Sequence, residues 1–183
     1  MSDTQINIGV VSGDFNNIKS PESSIDSIIN IIIKNLALVD VEIDYSDRSF
    51  PANVAKKIKH NLLKSKRKII LDYKAYSSPI ETAYILAEKY IINGKKTAMR
   101  LLNNMYCKAL EKYKIDSFDP DIEKIREHSD DIIDDVINQL RKFLYNSANV
   151  FEYKESVEVG MNIVVAHAFV ECFVLENPNN DSN

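Results

Sequence analysis

The stretch Glu155-Ser156-Val157-Glu158-Val159-Gly160-Met161-Asn162-Ile163-Val164-Val165-Ala166-His167-Ala168-Phe169-Val170-Glu171-Cys172-Phe173-Val174-Leu175-Glu176 decides the fold. It is apolar on nearly every side rather than along one stripe. A helix of that kind is packed on several neighbours at once, so 155–176 reads as the central helix of an all-α domain. Pro178 ends it, since proline cannot continue a helix. The apolar run from Ile163 to Leu175 is too short to span a bilayer, and His167 and Glu171 interrupt it.

Working outward, the neighbours show the 3.6-residue period. Ala98, Leu101, Leu102, Met105, Tyr106, Ala109, Leu110 and Tyr113 form one face of a helix over 95–114. Asp119-Pro120 opens a long helix with Ile122, Ile125, Ile132, Ile133, Val136, Ile137, Leu140, Phe143 and Leu144 inward. Residues 146–153 read as a loop. Ser78-Pro79-Ile80-Glu81 has the chemistry of a helix start: a serine cap, a first-turn proline and a capping-box carboxylate. The helix behind it is expected to bury Ile80, Ala83, Tyr84, Ala87, Tyr90 and Ile91, and to end at Asn93-Gly94. Two short basic segments precede it, 52–63 and 65–76. Ser20-Pro21 predicts the first helix, over 21–38, with Ile25, Ile28, Ile29, Ile32, Ile33 and Leu36 in its stripe. Ile6-Asn7-Ile8-Gly9-Val10-Val11-Ser12-Gly13-Asp14-Phe15 reads as strand and turn.

The expected architecture is therefore all-α, about six helices around a central C-terminal helix, with a small N-terminal β-hairpin or strand element. Residues 1–44 form an N-terminal part and 45–178 a helical domain. The tail 179–183 is disordered by composition. An apolar fraction of 45% and a charged fraction of 27% suit a folded chain, not a disordered one. No targeting segment is visible in the polar start Met1-Ser2-Asp3-Thr4-Gln5, and Cys107 and Cys172 sit among apolar helical neighbours, so a cytoplasmic protein with reduced thiols is expected.

Charge is segregated along the chain. Residues 1–50 carry 3 basic and 8 acidic side chains, 51–115 carry 15 and 4, and 116–183 carry 5 and 15. A basic middle between acidic ends suggests internal pairing first and an external acidic partner second.

Candidate chemistry is thin. Asp130, Asp131, Asp134 and Asp135, with Glu127 and His128, offer oxygen and nitrogen ligands, but they lie opposite the apolar stripe of their helix and read as a solvated acidic face. His167 and Glu171, one turn apart, are either a proton-transfer pair, a hydrogen-bonded core pair or a polar strip where a partner docks. No nucleophile stands near them in the sequence pattern, and His60 lies in a basic setting unsuited to a general base. The four glycines fall in no phosphate-loop spacing. No catalytic residue, metal site or cofactor is assigned. Lys56, Lys57, Lys59, Lys64, Lys66, Arg67, Lys68 and Lys74 could contact phosphates. Pairing with the acidic helix 120–142, or simple solvation, suits a stretch with a single arginine better.

Several segments resemble the C-terminal domain of the ABC-three-component bacterial conflict systems. They are Tyr45-Ser46-Asp47-Arg48-Ser49-Phe50-Pro51, Lys57-Ile58 with Asn61-Leu62, Ile80-Glu81-Thr82-Ala83-Tyr84, Arg100-Leu101-Leu102-Asn103-Asn104-Met105-Tyr106 and Asp131-Ile132-Ile133-Asp134-Asp135-Val136-Ile137. The most specific is Val164-Val165-Ala166-His167-Ala168-Phe169-Val170-Glu171-Cys172-Phe173-Val174-Leu175-Glu176-Asn177-Pro178. The resemblance covers roughly residues 45–178. It implies a non-catalytic module that couples an effector to an ABC/SMC-type ATPase and a small middle component in antiviral or anti-plasmid defence. About 45 residues precede the matching region, which points to a stand-alone coupling subunit or a remnant without its effector. His167 stands where the family tends to have an acid, and Glu171 and Phe173 where it tends to have basic residues. These three, with Lys66, Arg67 and Lys68, are the expected partner-binding residues. Self-association is a further expectation, and a nucleic-acid-binding accessory protein using 56–74 is the alternative.

Overall fold

The computed structural model describes residues 27–146 and 153–178. The expected strand at 6–15, the Ser20-Pro21 cap, most of the 146–153 loop and the 179–183 tail lie outside the described residues. Within them are six helices and no strand: α1 (Ile28–Ala37), α2 (Ala52–His60), α3 (Arg67–Glu88), α4 (Gly94–Lys112), α5 (Ile122–Asn146) and α6 (Lys154–Val170).

α6 is the centre. Every residue from Ile163 to Phe169 is buried, and the helix packs against α1, α3, α4 and α5. One face cannot bury seven consecutive residues, so four neighbours surround it. α1 lies close because Gly160 lets it: a Cβ there would stand 2.9 Å from Ile33 Cγ2. Ile29, Ile32 and Ile33 of α1 are fully buried, so one core includes residues on both sides of the boundary expected between residues 44 and 45. α1 starts at Ile28, after Ser27 in extended backbone, and the residues expected to precede it lie outside the described residues.

Two expectations about α3 are corrected. The basic segment 65–76 and the helix expected from Ser78 are one helix, with Pro79 in its interior. Pro79 has no N–H, so the Ala75 carbonyl loses its helical partner, a cost of about 3 kcal/mol in an isolated helix. Ile70, Tyr76, Ile80, Ala83, Tyr84 and Ala87 form one buried face across the proline, and that packing carries the helix through. Glu81 therefore caps nothing; its Oε1 accepts from Lys95 Nζ at 2.7 Å. α3 stops at Glu88, which leaves Tyr90 and Ile91 exposed where burial was expected. Phe143, also expected inward, is half-exposed at the edge of α5.

Three helices end alike, without glycine. Leu62, Lys114 and Cys172 each adopt a left-handed conformation, with φ of 51°, 57° and 62°. After each, the next amide reaches back five residues: Leu63 to Ile58 O, Ile115 to Leu110 O and Phe173 to Ala168 O, at 2.8–3.1 Å. This is the Schellman arrangement, which usually recruits glycine. Burial of Leu63 and Ile115, and partial burial of Phe173, holds the strained residue in place.

The helix expected through Glu176 thus ends at Val170, and residues 171–176 turn back along α2 and α4. Lys57, 3% exposed, holds the turn. Its Nζ donates to Phe169 O at 2.7 Å and to Val174 O at 3.0 Å, and lies 4.6 Å from the Phe169 ring centroid. Asn61 makes a paired contact with Glu176, donating to its carbonyl at 2.8 Å and accepting from its amide at 3.0 Å. Asn103 donates to Phe173 O at 2.9 Å, and the Tyr106 phenol to Glu176 Oε1 at 2.8 Å.

Lys57→Met keeps the buried volume, removes the donor to the Val174 carbonyl and leaves the Phe169 carbonyl with the Cys172 amide alone. Urea unfolding is expected to show a loss of about 2–4 kcal/mol, with faster hydrogen exchange at the amides of 171–176. Lys114→Gly relieves the left-handed strain and is expected to raise stability by roughly 0.5–1 kcal/mol in the same assay.

Candidate functional site

The six expected partner-binding residues fall into two sets, which no hydrogen bond or ion pair joins among the described residues. Lys66, Arg67 and Lys68 open α3 beside α5. His167, Glu171 and Phe173 belong to the end of α6 and the returning segment.

At the first set, Asp130 of α5 caps α3 from another helix. Its carboxylate accepts from the amides of Lys64, Ser65 and Lys66 at 3.1, 2.8 and 3.2 Å, and from the Ser65 hydroxyl at 3.0 Å. A carboxylate at a helix N-terminus satisfies orphan amides and faces the positive end of the dipole. These bonds hold the Asp130 carboxyl below the ordinary range, although burial works against them. Lys66 pairs with Asp134, one turn along α5. Asp135 accepts from Lys112 Nζ at 2.7 Å and from the Tyr113 phenol at 2.9 Å. His128 stacks on Tyr113, centroids 4.5 Å apart. The acidic row is thus half spent on joining α5 to α3 and α4, as the charge segregation implied. No group of three or more metal-type ligands occurs among the described residues.

At the second set, the expected His167–Glu171 pair is not formed. His167 is fully buried, whereas Glu171 is exposed at the C-cap of α6. His167 instead meets Tyr73, whose phenol lies 3.0 Å from Nδ1. Tyr84 packs against the same ring, centroids 5.2 Å apart. His167 Nε2 makes no hydrogen bond within the described residues, and Glu81 Oε1 stands 3.9 Å away. Burial, reinforced by the Lys95 ammonium, pushes the imidazole down to about 4, while Glu81 pulls weakly the other way. Burial, with Glu171 and Glu81 nearby, pushes the Tyr73 phenol up to about 12. At neutral pH the ring is uncharged, and the direction of its hydrogen bond with the Tyr73 phenol follows from which ring nitrogen carries the proton. Phe173 is partly buried against the core, and its backbone is bound at both ends. Only Glu171 of this set, with Glu81 and Lys95 beside the cluster, presents charge to the surface.

Lys57, Asn61, Tyr73 and Asn103 matter here without having stood out as site residues in the sequence. A signal for two of them exists. Val54, Lys57, Ile58 and Asn61 fall at i, i+3, i+4 and i+7, so a lysine and an asparagine occupy positions of an apolar stripe.

Compared with known proteins, the chain matches no family model, no curated protein and no solved structure. No helix among the described residues is long and apolar enough to cross a membrane.

His167 makes stability depend on pH in a defined direction. Its folded value near 4 lies below the ordinary 6.5, so between these values the unfolded chain binds more protons. Stability from this group is complete above about pH 6.5 and is lost as pH falls toward 4. Melting curves from pH 7 to 4.5 are expected to fall more steeply for the wild type than for His167→Gln, by up to about 3 kcal/mol.

Proposed function

We propose that this chain is a non-catalytic interaction and coupling module of a multi-component bacterial defence system, linked to an ABC/SMC-type ATPase and a small middle component. The observation that carries the reading is an exposed apolar surface at the end of α3 and the turn after it. Ile85, Tyr90 and Ile92 are 63%, 76% and 85% exposed, and Ile91 is exposed beside them. Four large apolar residues within eight positions form the kind of patch that in water is covered by a partner protein. Tyr90 and Ile91 line a groove of about 500 Å³ between α1 and α3, with Ile31 and Leu86 in its walls and Lys34 and Lys89 at its rim.

A second support is where the resembling residues lie. The run from Val164 to Pro178 is the middle of the core and the segment clamped on it. Lys57, Asn61, Asn103 and Tyr106, which hold that segment, come from other resembling stretches. The resemblance thus gathers residues that act together in space. The nucleic-acid alternative has less to work with. Of the eight cations in 56–74, Lys57 is buried, and Lys66, Lys68 and Lys74 are paired with Asp134, Asp72 and Asp47.

Tagged protein purified from its native host is expected to bring down an ABC/SMC-type ATPase and a small helical companion. Tyr90→Asp with Ile92→Asp is expected to abolish that recovery while leaving the melting midpoint unchanged. Recovery of nucleic acid alone, or of neither protein, rejects the coupling reading.

A further inference from the structure

A second groove, of about 490 Å³, lies between the 45–50 segment and the first turns of α3. Tyr45, Phe50 and Leu71 supply ring and aliphatic surface, and Arg48, Arg67 and Lys68 supply cations. Its charge is what sets it apart. The acids that would ordinarily neutralise it are engaged elsewhere. Asp44 accepts from the amide and hydroxyl of Ser46, at 2.8 and 2.6 Å. Asp47 accepts from both groups of Ser49 and from Lys74 Nζ at 2.8 Å. Asp72 is taken by Lys68 at 2.8 Å. Arg48 pairs with no acid among the described residues. Arg67 donates through Nε to Lys64 O at 2.9 Å, which leaves its terminal nitrogens to the groove. Two arginines without counter-charge therefore flank an apolar wall that includes a half-exposed tyrosine ring.

A guanidinium fork matches phosphate oxygens in pairs, and exposed aromatic rings stack on flat bases. The volume fits one small molecule rather than an extended chain. We propose that this groove binds a phosphate-bearing planar ring, the chemistry shared by a free nucleotide and by the terminal nucleotide of a single strand. Arg48 and Arg67 hold the phosphate, and Tyr45 with Phe50 and Leu71 holds the ring. Lys68, paired with Asp72 and 4.9 Å from the Tyr45 ring centroid, fixes that ring. The site uses side chains, so it needs none of the glycine loops that the sequence lacks. It is independent of the coupling reading above and survives its failure.

Titration calorimetry of the full chain tests this with AMP, ADP, GDP, inorganic phosphate and a 5′-phosphorylated ten-residue oligothymidine. At least one nucleoside phosphate, or the oligonucleotide, is expected to bind one-to-one, more tightly than inorganic phosphate. Arg48→Glu and Arg67→Glu are each expected to weaken it roughly tenfold or more, and Tyr45→Ala roughly tenfold. These residues are exposed, so melting midpoints should stay put. Lys56→Glu and Lys59→Glu, exposed cations on α2 outside the groove, should leave affinity unchanged. A tighter oligonucleotide than mononucleotide assigns the site to a strand end, and the reverse to a free nucleotide. Binding of inorganic phosphate equal to that of every nucleotide overturns the ring-binding part. No binding of any probe at millimolar concentration, or binding indifferent to both arginine reversals, overturns the proposal.

Discussion

A buried ammonium sits where the chain reverses at the end of α6, and much of the molecule is arranged to keep it there. Lys57 is compensated chiefly by dipoles: the Phe169 carbonyl at the negative end of α6, the Val174 carbonyl beyond the turn, and the face of the Phe169 ring. Burial lowers its pKa to about 8, so it keeps its proton at neutral pH. The arrangement fixes α2 against α6 and aims the returning segment at Asn61, Asn103 and Tyr106. A hydrophobic side chain in its place would fill the space and leave the Val174 carbonyl without its donor.

Charge does a related job at the start of α3. Asp130 takes three amides there, and Asp134 takes Lys66, so the acidic helix α5 is joined to the basic start of α3 by polar contacts. Internal pairing, which the charge segregation suggested, is made here through Asp130 and Asp134. The remainder is uneven: Arg48 and Arg67 stay uncompensated, and Ile85, Tyr90, Ile91 and Ile92 stay uncovered. Those two surfaces lie at different places on the fold and call for different chemistry.

The all-helical class and the central position of α6 were legible because continuous apolarity from Ile163 to Phe169 admits one explanation. The stripes of α4 and α5 were legible for the same reason. Helix ends were not. The familiar stop signal is glycine, and here Leu62, Lys114 and Cys172 take the left-handed position instead, held there by the burial of Leu63, Ile115 and Phe173. Pro79 misled in the opposite sense: its local chemistry says start, and the buried face from Ile70 to Ala87 says continue. Long-range packing outweighed a local rule. At the site, His167 and Glu171 share a helix face by spacing, but the helix ends at Val170 and Glu171 faces solvent. The true partner, Tyr73, is 94 residues away in sequence, a separation that no local pattern encodes.

The clamp at Lys57 also imposes an order of events as the chain is made. α2 emerges early, and the carbonyls that its lysine needs belong to residues 169 and 174. α1 packs on both α3 and α6, so its apolar face is covered only in part before α6 is made. Until α6 arrives, the ammonium stays hydrated and the faces that α6 covers on α1, α3, α4 and α5 stay open. Folding is thereby tied to translation of the last helix, and a ribosome stalled before it holds a chain with its apolar residues still uncovered.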